Sequence, residues 1–408
     1  MKTMRKLWGL FMVAVMVCTT NMPEMMAYSD ESFDMGTSLY SEWINEDGSY
    51  EFPIDQYDDE WYALDSAVEM REVTQIPEAL LDVISTEELI NLIIKYPLLC
   101  DMKAYSTLEE GYYVVKERFN GIQELVARED AYSELLKAYV AFDIPEERLV
   151  DYESIINSES RIADLNAFCA NKNNRNAIYD DAAVNNALNI LEFMLLDIME
   201  TREVDENRFS DIYIQKVSEK TKSAYFENTN AALLLDYMDE SSTRGLSIAE
   251  ARDSSYSIIM ISTPEDNVAV SVKYYPTLTM CSVTEDADLI AEYGATYISA
   301  ASSTFNCHSY AWLHNLRSDY QHIWMNYATQ FAADSYYEES TVAQVGDIAY
   351  WGAHSAQVIE INVKDPEADK PENICVSKWD DGPMVRHYMK RCPYYDGSSI
   401  ISYYRPAE

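Results

Sequence analysis

The spacing of apolar residues changes once along this chain of 408 residues, near Ser254. Before that point apolar side chains recur at helical spacing, as in Leu89, Leu92, Ile93 and Tyr96. After it, short alternating runs such as "SIIMIS" and "SAQVIEINV" are separated by Gly, Pro and Asp, which is typical of strands. Helices followed by strands predict an α+β chain whose N-terminal part is all-α.

Capping residues predict where the N-terminal helices begin. Ser85 stands three residues before Glu88, the spacing of a capping box, and Pro97 ends that helix. Ser106 and Glu109 repeat the same spacing. Further helices are predicted over 132–142, 145–168, 182–200 and 211–239. No fixed repeat length is present, so we expect an irregular helical bundle and not a solenoid.

The first residues resemble an export signal. Three basic residues precede an apolar run over 7–17, and Ala27 offers a small residue for cleavage. We therefore expect a signal peptide over 1–27 and a secreted protein, extracellular or at the bacterial cell surface. A retained anchor and lipidation at Cys18 stay open as alternatives. The run is short for a bilayer, and no stable membrane insertion is expected.

Net charge limits the partners. The chain carries 70 acidic and 30 basic residues, a formal net charge of −40. No basic stripe is present to displace counterions from phosphates, so a nucleic-acid partner is excluded. The same sign argues against docking on an anionic membrane. Nothing in the pattern identifies a protein partner for the helical part.

These patterns divide the chain into five segments. They are a signal peptide over 1–27, an acidic lead or linker over 28–75, a helical domain over 76–245, a hairpin and connecting helix over 246–303, and a C-terminal α+β domain over 304–408.

The segment "TFNCHSYAW" predicts a reactive thiol at a helix start. Thr304 or Asn306 can cap the helix, which places Cys307 in its first turn. Free backbone N–H groups there favour a thiolate, so we expect a lowered pKa for Cys307 and stabilisation of an oxyanion. All five histidines lie in the C-terminal part, and His354 opens a strand after a Gly turn. Histidine is the usual base for a cysteine nucleophile, so Cys307 and His354 are the predicted dyad.

Cysteine at a helix start, then Gly-Asp-hydrophobic and His-x-Ala-x-Val, resembles the papain-fold cell-wall hydrolases of the NlpC and CHAP families over 304–408. The whole chain is also similar to secreted proteins of gut Firmicutes. The family resemblance implies a helix packed on an antiparallel sheet, and a cysteine amidase or endopeptidase acting on peptides or peptidoglycan stem peptides. It also implies a third group on the next strand that orients His354. Ser377 is the preferred candidate, with Asp380 and His387 as alternatives.

Other residues near the motif complete the expected site. His308, Tyr350 and Trp351 are predicted to bind substrate in the groove. Neither a cofactor nor a metal is expected, since no HExxH motif is present. Six cysteines remain after the signal, and Cys375 and Cys392 are the expected disulfide.

Two other functions stay open. The residues Asn306-Cys307-His308-Ser309 differ from the Asp-Cys-Ser-Gly block frequent in the similar families. A non-catalytic secreted binding or scaffold protein with a degenerate hydrolase domain is therefore the alternative. An acyltransferase or transglutaminase-like enzyme has the same dyad and differs only in the acyl acceptor.

Overall fold

The structure, a computed structural model, describes residues 40–46, 48–142, 172–201, 256–278, 287–299, 301–364 and 371–407. They belong to one compact unit, Tyr40–Glu408. The predicted signal peptide and the predicted helices over 145–168 and 211–239 lie outside the described residues.

The N-terminal half of the described chain is helical. Its helices are α1 (Ala67–Val73), α2 (Glu78–Leu81), α3 (Thr86–Ile93), α4 (Leu108–Arg118), α5 (Asn120–Ala127), α6 (Ala131–Ala141) and α7 (Lys172–Thr201), with 3-10 turns at Ser41–Trp43, Asp59–Ala63 and Leu99–Ala104. The helix predicted over 132–142 corresponds to α6, and the one over 182–200 to the C-terminal part of α7. Among the described helices, none combines the length and the apolarity that crossing a bilayer requires.

The helix starts follow the capping residues closely. Ser85 Oγ accepts the Glu88 N–H, and the Glu88 carboxylate accepts the Ser85 N–H, so the predicted capping box is confirmed. The start of α4 lies one residue later than predicted, because Thr107 accepts the N–H of Glu110.

The described part of the acidic lead packs into the core, which corrects the linker prediction. Trp43, Phe52 and Trp61 are buried. The indole N–H of Trp61 donates to the carbonyl of Glu292 at 3.0 Å. The aromatic residues of this segment are irregularly spaced, so they give no periodic pattern from which secondary structure could be predicted. Each nevertheless buries a large apolar area when it packs.

The C-terminal part is built on a seven-stranded antiparallel sheet. The strands are β1 (Ser257–Ser262), β2 (Ala269–Tyr274), β3 (Thr296–Ser299), β4 (Ile323–Trp324), β5 (Tyr337–Ser340), β6 (Ile348–Tyr350), β7 (Ser355–Lys364), β8 (Pro371–Lys378), β9 (Met384–Tyr388) and β10 (Ser402–Pro406). The large sheet has the order β3-β9-β8-β7-β6-β10-β5, and β1, β2 and β4 form a small one. The described helices of this part are α8 (Ala287–Glu292), α9 (Cys307–Leu313) and α10 (Thr329–Ala332), with a 3-10 turn at Tyr320–His322. The prediction of an α+β chain is confirmed.

Both faces of the large sheet are covered. On the helix face, which carries Tyr350, Ser355 and Gln357, the Trp312 indole of α9 donates to Ser355 Oγ at 2.9 Å. On the core face, which carries Ala349, Trp351, Ala356, Val358 and Cys375, the side chains share one apolar cluster with the N-terminal helices. Helices and sheet therefore form one body in the described chain, and not the separate domains that the sequence suggests.

Candidate active site around Cys307

Cys307 is the first residue of α9, as the sequence predicts. The side-chain oxygen of Asn306 accepts the backbone N–H of Ser309 at 3.1 Å, and its amide donates to the carbonyl of Met325 at 2.8 Å. Asn306 is therefore the N-cap, and the alternative, Thr304, is not.

The thiol of Cys307 lies beside the start of β7. The backbone N–H groups of Ser355 and His308 lie near its sulfur and act to lower its pKa. Burial and the nearby Asp380 carboxylate have the larger effect and raise the pKa of Cys307 to about 12. The prediction of a lowered pKa is therefore wrong, and the neutral thiol is the form present near neutral pH.

His354 lies on the core face of the sheet. Its carbonyl accepts the N–H of Trp351 at 3.1 Å across the tight turn between β6 and β7. Residues paired across a hairpin share a face. The His354 ring is fully buried there, stacked on Tyr394 with centroids 4.2 Å apart. The next residue, Ser355, points to the helix face, where its hydroxyl lies 2.7 Å from His308 Nδ1. Ser355, and not His354, is therefore the residue of this turn whose side chain meets α9.

The hydrogen bond expected between Cys307 and His354 is not formed. Within the described ranges, neither ring nitrogen of His354 has a hydrogen-bond partner. Burial lowers the pKa of His354 well below its ordinary value, and His387 and His308 add to this effect. Thiol and imidazole are therefore both neutral and not bonded to each other in this structure.

Ser377 does not orient His354, which corrects the third predicted role. Its hydroxyl lies 2.8 Å from His387 Nε2. His387 Nδ1 lies 2.9 Å from the carbonyl of Tyr388. Ser377 and His387 share the core face with His354, but their hydrogen bonds connect them to each other. The sequence cannot distinguish the two histidines as partners of Ser377, because both lie at the same face of the sheet.

Asp380, the other alternative, lies just beyond the end of β8. Its carboxylate accepts the hydroxyl proton of Ser106 at 2.7 Å, and burial raises the pKa of Asp380 to about 7. The neighbouring Lys378 is fully buried, and its ammonium donates to the carbonyls of Ser302 at 3.0 Å, Asp380 at 2.6 Å and Gly382. These two residues set the charge beside the thiol and do not bond to the imidazole.

The three predicted substrate-binding residues do not line one groove. His308 is buried between α9 and the sheet, and burial lowers the pKa of His308 to about 4. Tyr350 packs edge-on against that ring at 5.9 Å, on the helix face. Trp351 is buried on the core face. Tyr350 ends β6 and Trp351 follows it, so the two side chains lie on opposite faces of the sheet. The alternation of side chains along a strand predicts this from the sequence alone.

A histidine–cysteine cluster missed by the sequence analysis lies on the core face. One ligand atom from each of His354, His387 and Cys392 lies within 4.8 Å of the other two. The expected disulfide between Cys375 and Cys392 is not formed, because both are free, buried thiols. His387 and Cys392 are close in sequence, but only the sheet brings His354 to them. These three residues could together hold a metal ion, which the expectation of no metal site did not foresee.

No protein-family model matches the chain, and no curated protein or solved structure matches it either.

Proposed function

We propose that the protein is an exported cysteine amidase or endopeptidase of the papain-like NlpC/CHAP type, with Cys307 as nucleophile and His354 as base. Its proposed substrates are extracellular peptides, with peptidoglycan stem peptides as the class that the family resemblance implies. One feature supports the proposal: the backbone N–H of Ser355, the residue that directly follows His354, lies close enough to the Cys307 sulfur to lower its pKa. The proposed nucleophile therefore lies beside the start of the strand that follows the proposed base.

The proposed reaction begins with the Cys307 sulfur attacking the amide carbonyl while its proton moves to His354. Backbone N–H groups near Cys307 are proposed to stabilise the oxyanion. The tetrahedral intermediate then collapses, and His354 gives the proton to the leaving amine. Water hydrolyses the thioester and restores the thiol. With another nucleophile in place of water, the same steps transfer the acyl group.

The proposed reaction requires a movement of His354. Its ring is stacked on Tyr394 and does not bond to the thiol in this structure. The turn that carries it contains Gly352 with a φ of 77°, a conformation that glycine adopts without strain. Catalytic hydrogen bonds that are open without substrate often form only when substrate binds. We therefore expect peptide binding to reposition the turn over 351–354.

Digestion of defined peptides tests the proposal. The purified chain is incubated with wall stem peptides and with unrelated peptides, and new termini are identified by mass spectrometry. We expect cleavage by the wild type, none by Cys307→Ala, and a rate about 10²–10⁴-fold lower for His354→Ala. Cys100→Ser is the matched control, because Cys100 is a buried free thiol in the helical part and is expected to leave the rate unchanged. Equal cleavage by Cys307→Ala would exclude this nucleophile.

A non-catalytic binding protein is the second candidate function. It is favoured by the buried, neutral state of Cys307 and His354 and by the two ring nitrogens of His354, which have no hydrogen-bond partner in the described part of the chain. A wild-type chain that binds wall peptides without cleaving them, with equal affinity in Cys307→Ala, would support this candidate over the enzyme.

A further inference from the structure

The core-face cluster of His354, His387 and Cys392 has the composition of a metal site. All three side chains are at most 2 % exposed. Their ligand atoms, two imidazole nitrogens and one sulfur, lie within 4.8 Å of one another. Around a zinc ion, bonds of about 2.0 Å to nitrogen and about 2.3 Å to sulfur place such atoms somewhat closer together. Small side-chain movements would therefore bring the three atoms onto one ion.

Among the described residues, the unpartnered ring nitrogens of His354 point to a ligand. Both of its ring nitrogens are buried, and neither has a hydrogen-bond partner in the described part of the chain. Leaving a buried polar group without a partner costs about 1–3 kcal/mol, so native structures usually supply one. Stacking on Tyr394 holds the ring beside the other two ligands. A bound cation would satisfy the nitrogen that faces the cluster.

His387 is oriented as a ligand as well. Its Nδ1 lies 2.9 Å from the Tyr388 carbonyl, which selects the tautomer with a proton on Nδ1 and a lone pair on Nε2. The Ser377 hydroxyl, 2.8 Å from Nε2, donates to that lone pair and has to turn aside for a metal. Cys375 Sγ lies 3.5 Å from the same nitrogen and is a candidate for a fourth ligand.

We propose that His354, His387 and Cys392 bind a zinc-class divalent cation, with Cys375 as a fourth ligand or a close neighbour. Imidazole and thiolate select borderline and soft metals over calcium or magnesium, which prefer oxygen. Binding exchanges the thiol proton of Cys392 for the metal and releases it to solvent.

The proposed metal site does not depend on the proposed peptidase activity. Only the inhibition of that activity by metal rests on the proposed function. A metal bound to His354 removes the proposed general base, so zinc would inhibit peptide cleavage. Metal binding and the inhibition of peptide cleavage by zinc are therefore measured separately. A chain that binds metal but cleaves no peptide would contradict the proposed peptidase and not the metal site.

Cobalt(II) titration of the reduced, metal-free full chain tests the proposal. We expect one equivalent to bind, with visible bands of tetrahedral cobalt and a near-ultraviolet thiolate-to-cobalt band, and zinc to displace it. The thiolate band should be lost in Cys392→Ser and kept in the matched control Cys100→Ser. Cys375→Ser should remove a second thiolate contribution if Cys375 is a ligand, and otherwise weaken binding by about 10–100-fold as a neighbour.

The wild-type titration decides without relying on any variant's folding. Absence of a thiolate band in the reduced wild type overturns the proposal. Equal bands in Cys392→Ser and Cys100→Ser, with native near-ultraviolet circular dichroism in both, overturn it as well, because the metal then binds elsewhere.

Discussion

Single residues show where sequence reasoning succeeds and where a larger effect reverses it. Cys307 begins a helix that Asn306 caps. The residue types predict this helix start but leave Thr304 open as an alternative cap. The pKa of Cys307 cannot be predicted from the residue types. A helix start favours an anion by about 0.3–1 kcal/mol, less than one pKa unit. Burial acts on the charged form by several units and raises the pKa of Cys307 to about 12. Burial depends on the packing of distant segments, which no local motif contains.

Alkylation of Cys307 should therefore depend steeply on pH. Only the thiolate reacts, so its rate with iodoacetamide is expected to rise about tenfold per pH unit, without a plateau below about pH 10. Peptide mass mapping of partly labelled samples follows this cysteine alone. A plateau below pH 8 would show that a thiolate already dominates near neutral pH, against the structure.

The positions of helices and strands are largely predictable from the sequence. Which face of the sheet meets which helix is not. The strand runs that become β6 to β9 and the β1–β2 hairpin show clear alternation. Yet Ala356 on one face and Ser355 on the other are both buried, since helices cover both sides of the sheet. Polarity thus does not mark the face that meets α9. A shift of one residue exchanges His354 and Ser355 between the faces, so the catalytic geometry is the least predictable part of the site.

Removing the cap of α9 tests the link between this element and the thiol. Asn306→Ala loses the bond from the Ser309 N–H and the bond to the Met325 carbonyl. We expect a loss of about 1–2 kcal/mol in the free energy of unfolding in urea, and faster alkylation of Cys307 as the helix start loosens.

Ser85→Ala is the matched control for this prediction. It removes the cap of α3 in the helical part and should cost a similar free energy, about 0.5–2 kcal/mol, with unchanged alkylation of Cys307. Equal effects of both variants on alkylation would mean that global opening, and not the local cap, governs access to the thiol.

At the scale of the whole molecule, the sequence suggests separable segments where the structure has an apolar cluster shared by the N-terminal helices and the large sheet. The change of apolar spacing marks a change of secondary structure, and not a domain boundary. Arg118 of α4 donates to the carbonyl of Pro393 at 2.8 Å, and the Ala67 N–H donates to the carbonyl of Lys390 at 2.9 Å. These contacts join residues about three hundred positions apart, a distance over which spacing and capping carry no information.

The apolar cluster shared by helices and large sheet predicts cooperative unfolding. Pulsed hydrogen exchange in urea should show peptides from the helices and from the large sheet losing protection at one midpoint. Trp61→Phe removes the bond to the Glu292 carbonyl and should lower the free energy of unfolding of both by about 0.5–1.5 kcal/mol. Tyr327→Phe, at a side chain 72 % exposed, is the control without effect. Sheet peptides that stay protected after the helices exchange would show two independent units.

Trapping the acyl-enzyme directly tests the proposed role of Cys307 as the nucleophile. The chain is mixed with a peptide that it cleaves, or with an activated peptide ester, quenched in acid within the first turnover, and digested for mass spectrometry. We expect the mass of the acyl group on the peptide that contains Cys307, its accumulation slowed in His354→Ala and absent in Cys307→Ala. Product formation with the acyl group on another residue, or with no adduct at any quench time, would contradict the proposed mechanism.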